Sequence, residues 1–150
     1  MPLKAVIGIN DGRVPKVPAF VLIKNLDVNR LVWFLVDTGS TYSAICESDA
    51  LLAGIDPTTL PYEKGEAVGF GGKFRCRSIN HPVELIFKIS DSSQFTVHRS
   101  GFKLIPAEHE DEAIRRKLLE VTPSVLGMDV LNKFEIHILR KKVELIPYEQ

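Results

Sequence analysis

The segment FLVDTGSTYSA, residues 34–44, sends an aspartate and a glycine out of the end of an apolar run. Residues 31–36 are apolar almost without break, the pattern of a strand buried on both faces, and such a strand delivers Asp37 into a tight turn at Gly39. A carboxylate held in this way can act as a general acid or base once a partner group stands within hydrogen-bond reach. The ordinary alternative is an Asx-type turn, in which aspartate, threonine, glycine and serine are all common. At average residue usage the triplet Asp-Thr-Gly arises by chance in roughly 3% of chains of this length. The triplet therefore takes its meaning from the apolar strand before it and from the rest of the chain.

The elements that must position Asp37 are mostly extended. Short runs of β-branched and aromatic residues between turn residues predict strands at 4–9, 17–24, 30–36, 66–70, 73–78, 83–89, 94–97, 102–105, 124–126, 134–139 and 143–146, the last two forming a hairpin that turns at 140–142. Such regular spacing argues for a mostly β fold, a sandwich or a barrel. Helical signals are few. Residues 110–121 carry an apolar stripe of Ala113, Ile114, Leu118 and Val121 behind an acidic first turn, and Pro123 stops them; an outer packing helix is expected, with a role in substrate entry or oligomer contacts as the alternative. Shorter helices are expected at 48–53, closed by Gly54, and at 128–131, closed by Asn132.

Composition narrows the function classes. With 150 residues, 45% of them hydrophobic, the chain is long enough for one core and short for two, so residues 1–150 read as one domain. Nineteen basic and nineteen acidic residues cancel without forming blocks, which argues against nucleic acid or an anionic membrane as partner. No apolar stretch reaches the length of a membrane span and the first residues lack the pattern of a secretory signal, so a cytoplasmic location is expected. Cys46 and Cys76 are too few for a disulfide framework and are expected to be reduced and buried. His81, His98, His109 and His137 share no ligand spacing, and no metal is expected.

Beyond the Asp37 turn, YEKGEAVGFGGKFRCRS places Gly69, Gly71 and Gly72 between two strand-like arms, and SVLGMDVLNKF puts Val125, Leu126 and Gly127 ahead of a short helix. Together and in this order, the three pieces resemble the retropepsin-like aspartic proteases, with this chain as a single-domain cellular member. The resemblance implies an all-β fold with a few short helices: a closed, β-barrel-like acid-protease fold of retropepsin type with one lobe per chain. It implies Asp37 as the catalytic residue, with Thr38, Gly39 and Ser40 completing the active-site turn and its dimer contact. It also implies a substrate-binding flap at Val68, Gly69, Phe70, Gly71 and Gly72, and a second structural turn at Val125, Leu126 and Gly127. Val68, Phe70, Phe74 and Ile79 read equally as pocket lining or as plain packing.

The chemistry of that family needs two aspartates that share one proton and activate a water between them; no cofactor takes part. This chain has one Asp-Thr-Gly, and neither Asp11 nor Asp129 ends an apolar strand ahead of Thr-Gly. A homodimer that pairs Asp37 with its copy is therefore implied, acting as an endopeptidase on peptides or unfolded proteins. The sequence departs from many retropepsins at Met128 and Thr41, where a charged pair is common, and in the long segment 91–122. The main rival is a dimeric peptide-binding or adaptor module that keeps the fold without turnover. FLVDTGST also resembles the phosphate-binding hairpin of actin-like ATPases and sugar kinases, but that fold needs two lobes and a second phosphate loop.

Overall fold

The computed structural model describes residues 4–12, 14–69 and 72–148. Within them the alternating apolar runs become strands: β1 (Val6–Asp11), β2 (Val14–Ile23), β3 (Val28–Val36), β4 (Ala44–Cys46), β5 (Ala67–Gly69), β6 (Gly72–Phe74), β7 (Arg77–Ile79), β8 (Val83–Lys88), β9 (Gln94–Arg99), β10 (Phe102–Ile105), β11 (Ser124–Leu126), β12 (Phe134–Ile138) and β13 (Lys142–Pro147). The helices α1 (Glu47–Leu52), α2 (Glu112–Val121) and α3 (Met128–Leu131) are short, and the class is all-β. No helix among the described residues is long and apolar enough to cross a membrane.

The longest strand, β2, organises the sheet. Along one edge, residues 16–23 pair antiparallel with β3; along the other, residues 14–16 go to β1 and residues 20–22 to β8. Pro18, which has no amide hydrogen for a ladder, falls in the gap between the two partners on that divided edge. The main path runs β12-β13-β1-β2-β3-β11-β4-β10-β7, with β8 and β9 branching from β2. The two ends of this path do not pair, so the closed, barrel-like sheet expected from the sequence does not form. The physical reason is the shared edge of β2: it splits the sheet into two arms instead of carrying it round to closure.

One face of the long strands of the main sheet enters a common core. Val17, Ala19, Val21 and Ile23 of β2, Val32, Phe34 and Val36 of β3, and Val83, Leu85 and Phe87 of β8 are buried at alternate positions, as a period of two requires. The Phe34 ring meets Phe102 edge-on at 6.5 Å, and Phe87 and Phe95 both pack on Phe134 at 5.1 Å. Each fully buried side chain of this size contributes roughly 1.5–3 kcal/mol. Burial of β3 on both faces, expected from its unbroken apolar run, is not observed: Leu31 and Trp33 remain 45% and 42% exposed. They share their outer face with their register partners Phe20 and Pro18 of β2. The run thus combines a core face with an apolar surface stripe.

The helices follow their end signals. Gly54 takes a left-handed conformation, φ 87°, which closes α1 by bonds from the Gly54 amide to Leu51 O (3.1 Å) and from the Ile55 amide to Ala50 O (2.9 Å). Asp111 caps α2, its carboxylate accepting the Ala113 and Ile114 amides at 2.8 and 3.2 Å, so the helix begins two residues later than its acidic run suggests. Arg115 ties α2 to Glu47 of α1 at 3.2 Å. The helix lies on the outside as expected and its stripe is only partly covered: Leu118 is half-buried, whereas Ile114 and Val121 are 43% and 56% exposed.

Candidate active site

Asp37 follows directly on β3, where the chain leaves the sheet. Its amide donates to Leu126 O (3.1 Å), its carbonyl accepts the Ser40 amide (3.1 Å), and its Oδ1 accepts the Gly39 amide (3.0 Å). The turn is therefore an Asx turn inside a β-turn, with one carboxylate oxygen fixed by backbone. Thr38 and Gly39 are exposed, while Asp37 and Ser40 are partly covered.

What holds this turn is a strand from far along the chain. β11 lies between β3 and β4: Ser124, Val125 and Leu126 pair in parallel with Phe34, Leu35 and Val36, and Val125 faces Ala44 of β4 in antiparallel sense. The loop joining β3 to β4 must then pass in front of the end of β11, where Gly127 stands. A Cβ on Gly127 would sit 2.6 Å from the carbonyl carbon and oxygen of Tyr42 and 2.8 Å from Ser40 O, so only glycine fits under the loop. The loop is laced to α3 by Met128 N–H to Ser40 O (2.8 Å) and Asp129 N–H to Thr41 O (3.1 Å). Met128 and Thr41, the neutral residues at the positions noted above, are thus joined to the opposite segment through backbone. The structure brings Asp37, Thr38, Gly39 and Ser40 together with Val125, Leu126 and Gly127 at one sheet end.

Side chains that sequence reasoning missed complete the junction. Ser43 Oγ accepts the Gly127 amide (2.9 Å) and donates to Asp129 Oδ1 (2.7 Å), and Asp129 pairs with Arg99 of β9 at 3.6 Å. Behind the loop, Ser124 Oγ accepts the Cys46 amide (2.9 Å) and donates to Asp49 Oδ2 (2.6 Å), which stitches β11 to β4 and α1. In the sequence Asp129 stands out only as an acid that lacks the strand and the Thr-Gly of a second such turn. No spacing pattern announces a bond to Ser43 across 86 positions.

The glycine-rich segment forms the antiparallel hairpin β5–β6, a sheet of its own with Val68 opposite Lys73 and Gly69 opposite Gly72. Phe70 and Gly71 lie outside the described residues. Phe74 is partly covered, whereas Ile79 is fully buried in the core. The hairpin root is closed by the Tyr62–Arg77 bridge and by Glu63 N–H to Cys76 O (2.9 Å). Arg77 lies 4.1 Å over the Tyr62 ring and donates to its hydroxyl (2.9 Å), while that hydroxyl donates to Glu108 and is pushed above its ordinary pKa by the bond. Lys103 pairs with Glu63 at 2.8 Å and sits 4.1 Å over the ring of Tyr42 in the Asp37 loop. Burial opposes the Lys103 charge, but the Glu63 bond and charge outweigh it and move its pKa upward. This contact links the hairpin root to the Asp37 loop, beside a cleft of about 210 Å³ lined by Tyr42, Ser43, Glu63, Arg99, Lys103 and Asp129.

No family model matches the sequence, and no curated protein matches it. Among solved structures, the fold is similar to the crystal structure of a retropepsin-like aspartic protease from Rickettsia conorii, at 19% identity and a TM-score of 0.54 over 96% of this chain and 100% of that one. At that identity the likeness establishes the fold: the chain folds as a retropepsin-like protein.

Proposed function

We propose that residues 1–150 form one protease domain that works as a homodimeric aspartic endopeptidase, hydrolysing peptides or unfolded proteins. The observation that carries this reading is the Asp37 turn: a carboxylate at a sheet end, oriented by the Gly39 amide and held from beneath by Leu126. The chain holds one Asp-Thr-Gly, so the second carboxylate comes from a second copy across a two-fold axis. Exposed Thr38 is available to reach the partner turn.

Two carboxyls a hydrogen bond apart cannot both ionise cheaply, so the pair shares a single proton and titrates as a unit. The ionised member takes a proton from the water between them as that water attacks the peptide carbonyl, and the protonated member supports the developing oxyanion; the tetrahedral intermediate then collapses, the C–N bond breaks and a carboxyl proton passes to the leaving amine, with no covalent acyl-enzyme formed. The β5–β6 hairpin is the flap in this reading, covering an extended peptide bound through main-chain bonds and excluding bulk water. Its root contact to Tyr42 through Glu63 and Lys103 supports that role. Cys46 and Cys76 are buried and unpaired, which suits a reducing, cytoplasmic compartment.

The test is incubation of purified protein with a mixed peptide library from acidic to neutral pH, alongside Asp37→Asn. Cleavage by wild type that disappears in a mutant still dimeric by sedimentation is the expected result. A wild-type dimer that cleaves nothing at any pH would leave the fold as a peptide-binding module.

A further inference from the structure

We propose that Ser43 and Asp129 are positioning residues for the Asp37 turn, an inference that rests on the protease reading above. Three backbone bonds hold the loop to the second segment, through Asp37, Ser40 and Thr41, and Ser43 adds the side-chain bond at the far end. Ser43 is only 2% exposed. Its hydroxyl has one hydrogen, and that hydrogen goes to Asp129 Oδ1, so the oxygen presents a lone pair to the Gly127 amide. Without the Asp129 acceptor the hydroxyl hydrogen loses its fixed direction, and the side chain is held less firmly in the rotamer that accepts the Gly127 amide. Arg99, reaching in from β9, holds the other oxygen of Asp129 and balances its charge on the cleft wall.

The direction of this chain of bonds matters because Gly127 has no slack. The loop leaves no room for even a Cβ on Gly127, and the next amide, Met128 N–H, is bonded to Ser40 O, so a shift at Gly127 passes into the loop carrying Asp37. A displacement of about 1 Å at a reacting group costs roughly 100-fold in rate. Ser43 and Asp129 thus act through the position of Asp37 and not through contact with substrate.

The experiment is steady-state cleavage of a peptide found to be a wild-type substrate, using Ser43→Ala, Ser43→Thr, Asp129→Ala, Asp129→Asn and the double alanine variant. Ser43→Ala and Asp129→Ala are each expected to lower kcat roughly 10- to 100-fold with little change in KM. Ser43→Thr keeps the hydroxyl and Asp129→Asn keeps an acceptor, so both are expected to retain most of the rate. The double variant is expected to fall no further than either single one, because both changes break the same link. Amide hydrogen exchange at Gly127 and Met128 is expected to quicken in both alanine variants. Additive rate losses, or a raised KM with kcat untouched, would overturn the proposal. If Ser43→Ala fails to fold, Asp129→Ala, at the rim of the cleft, carries the same comparison. If wild type cleaves nothing, the protease reading fails by itself; Gly127 exchange then decides the positioning claim, and unchanged protection in Asp129→Ala refutes it.

Discussion

Gly127 shows how much one residue can decide. The atoms that a Cβ would strike are the backbone carbonyl of Tyr42 and Ser40 O, none of them able to swing aside as a side chain can. Gly39, by contrast, would meet only Asp37 Oδ1, at 3.3 Å. Gly127→Ala is therefore expected to cost at least 1–3 kcal/mol by overpacking, on the order of other forced core insertions, read by denaturant melts of the purified chain. A melt unchanged from wild type would mean that the loop does not press on β11 as described. At this scale Asp37, Thr38 and Gly39 were legible because a turn is a local event: its residues and the strand before it are contiguous. Ser43 and Asp129 were not legible, since their bond joins segments 86 positions apart and each is an ordinary loop or helix residue on its own.

At the scale of elements, period-two alternation and turn residues were enough to place most strands, and Gly54 and Pro123 to place helix ends. Two misreadings have the same cause. The apolar run of β3 suggested burial on both faces and the apolar stripe of α2 suggested packing along its length, yet Leu31, Trp33, Ile114 and Val121 stay exposed. Hydrophobic pattern says which residues can be buried, whereas only the neighbouring layer decides whether they are. Turns offer a testable case. Between β8 and β9, Asp91 accepts the Ser93 hydroxyl and the Ser93 amide (3.0 Å), and these bonds hold its carboxyl below the ordinary range, with Lys4 adding to the effect. A carboxyl depressed in the folded state lends stability above its unfolded value of about 3.9 and loses it as pH falls through the folded value. Asp91→Asn should thus lower Tm most above about pH 5 and converge on wild type toward about pH 2. A Tm difference that stays constant across that range would show that ionisation at Asp91 does not contribute.

At the scale of the molecule, the sheet forks at β2 and inserts β11 between β3 and β4, so the Asp37 loop is finished only when the last third of the chain has arrived. In the proposed reading, the solitary Asp-Thr-Gly makes activity a property of two chains. Specific activity is expected to fall on dilution through the dimer dissociation range, and excess Asp37→Asn chain should suppress wild-type activity by forming mixed dimers. Activity strictly proportional to concentration, in a sample that sediments as monomer, would sink the shared-site mechanism. The all-β class, the strand that ends on Asp37, the glycine-rich hairpin and the Val125-Leu126-Gly127 segment are each written in contiguous residues, through period, turn chemistry and composition. The open sheet, the support of the Asp37 turn by β11 and the bonds of Ser43, Asp129 and Arg99 around it come from folding in three dimensions. Those outcomes depend on which distant edges pair and which layers cover them, and no local pattern encodes a contact between segments that meet only when the chain has folded.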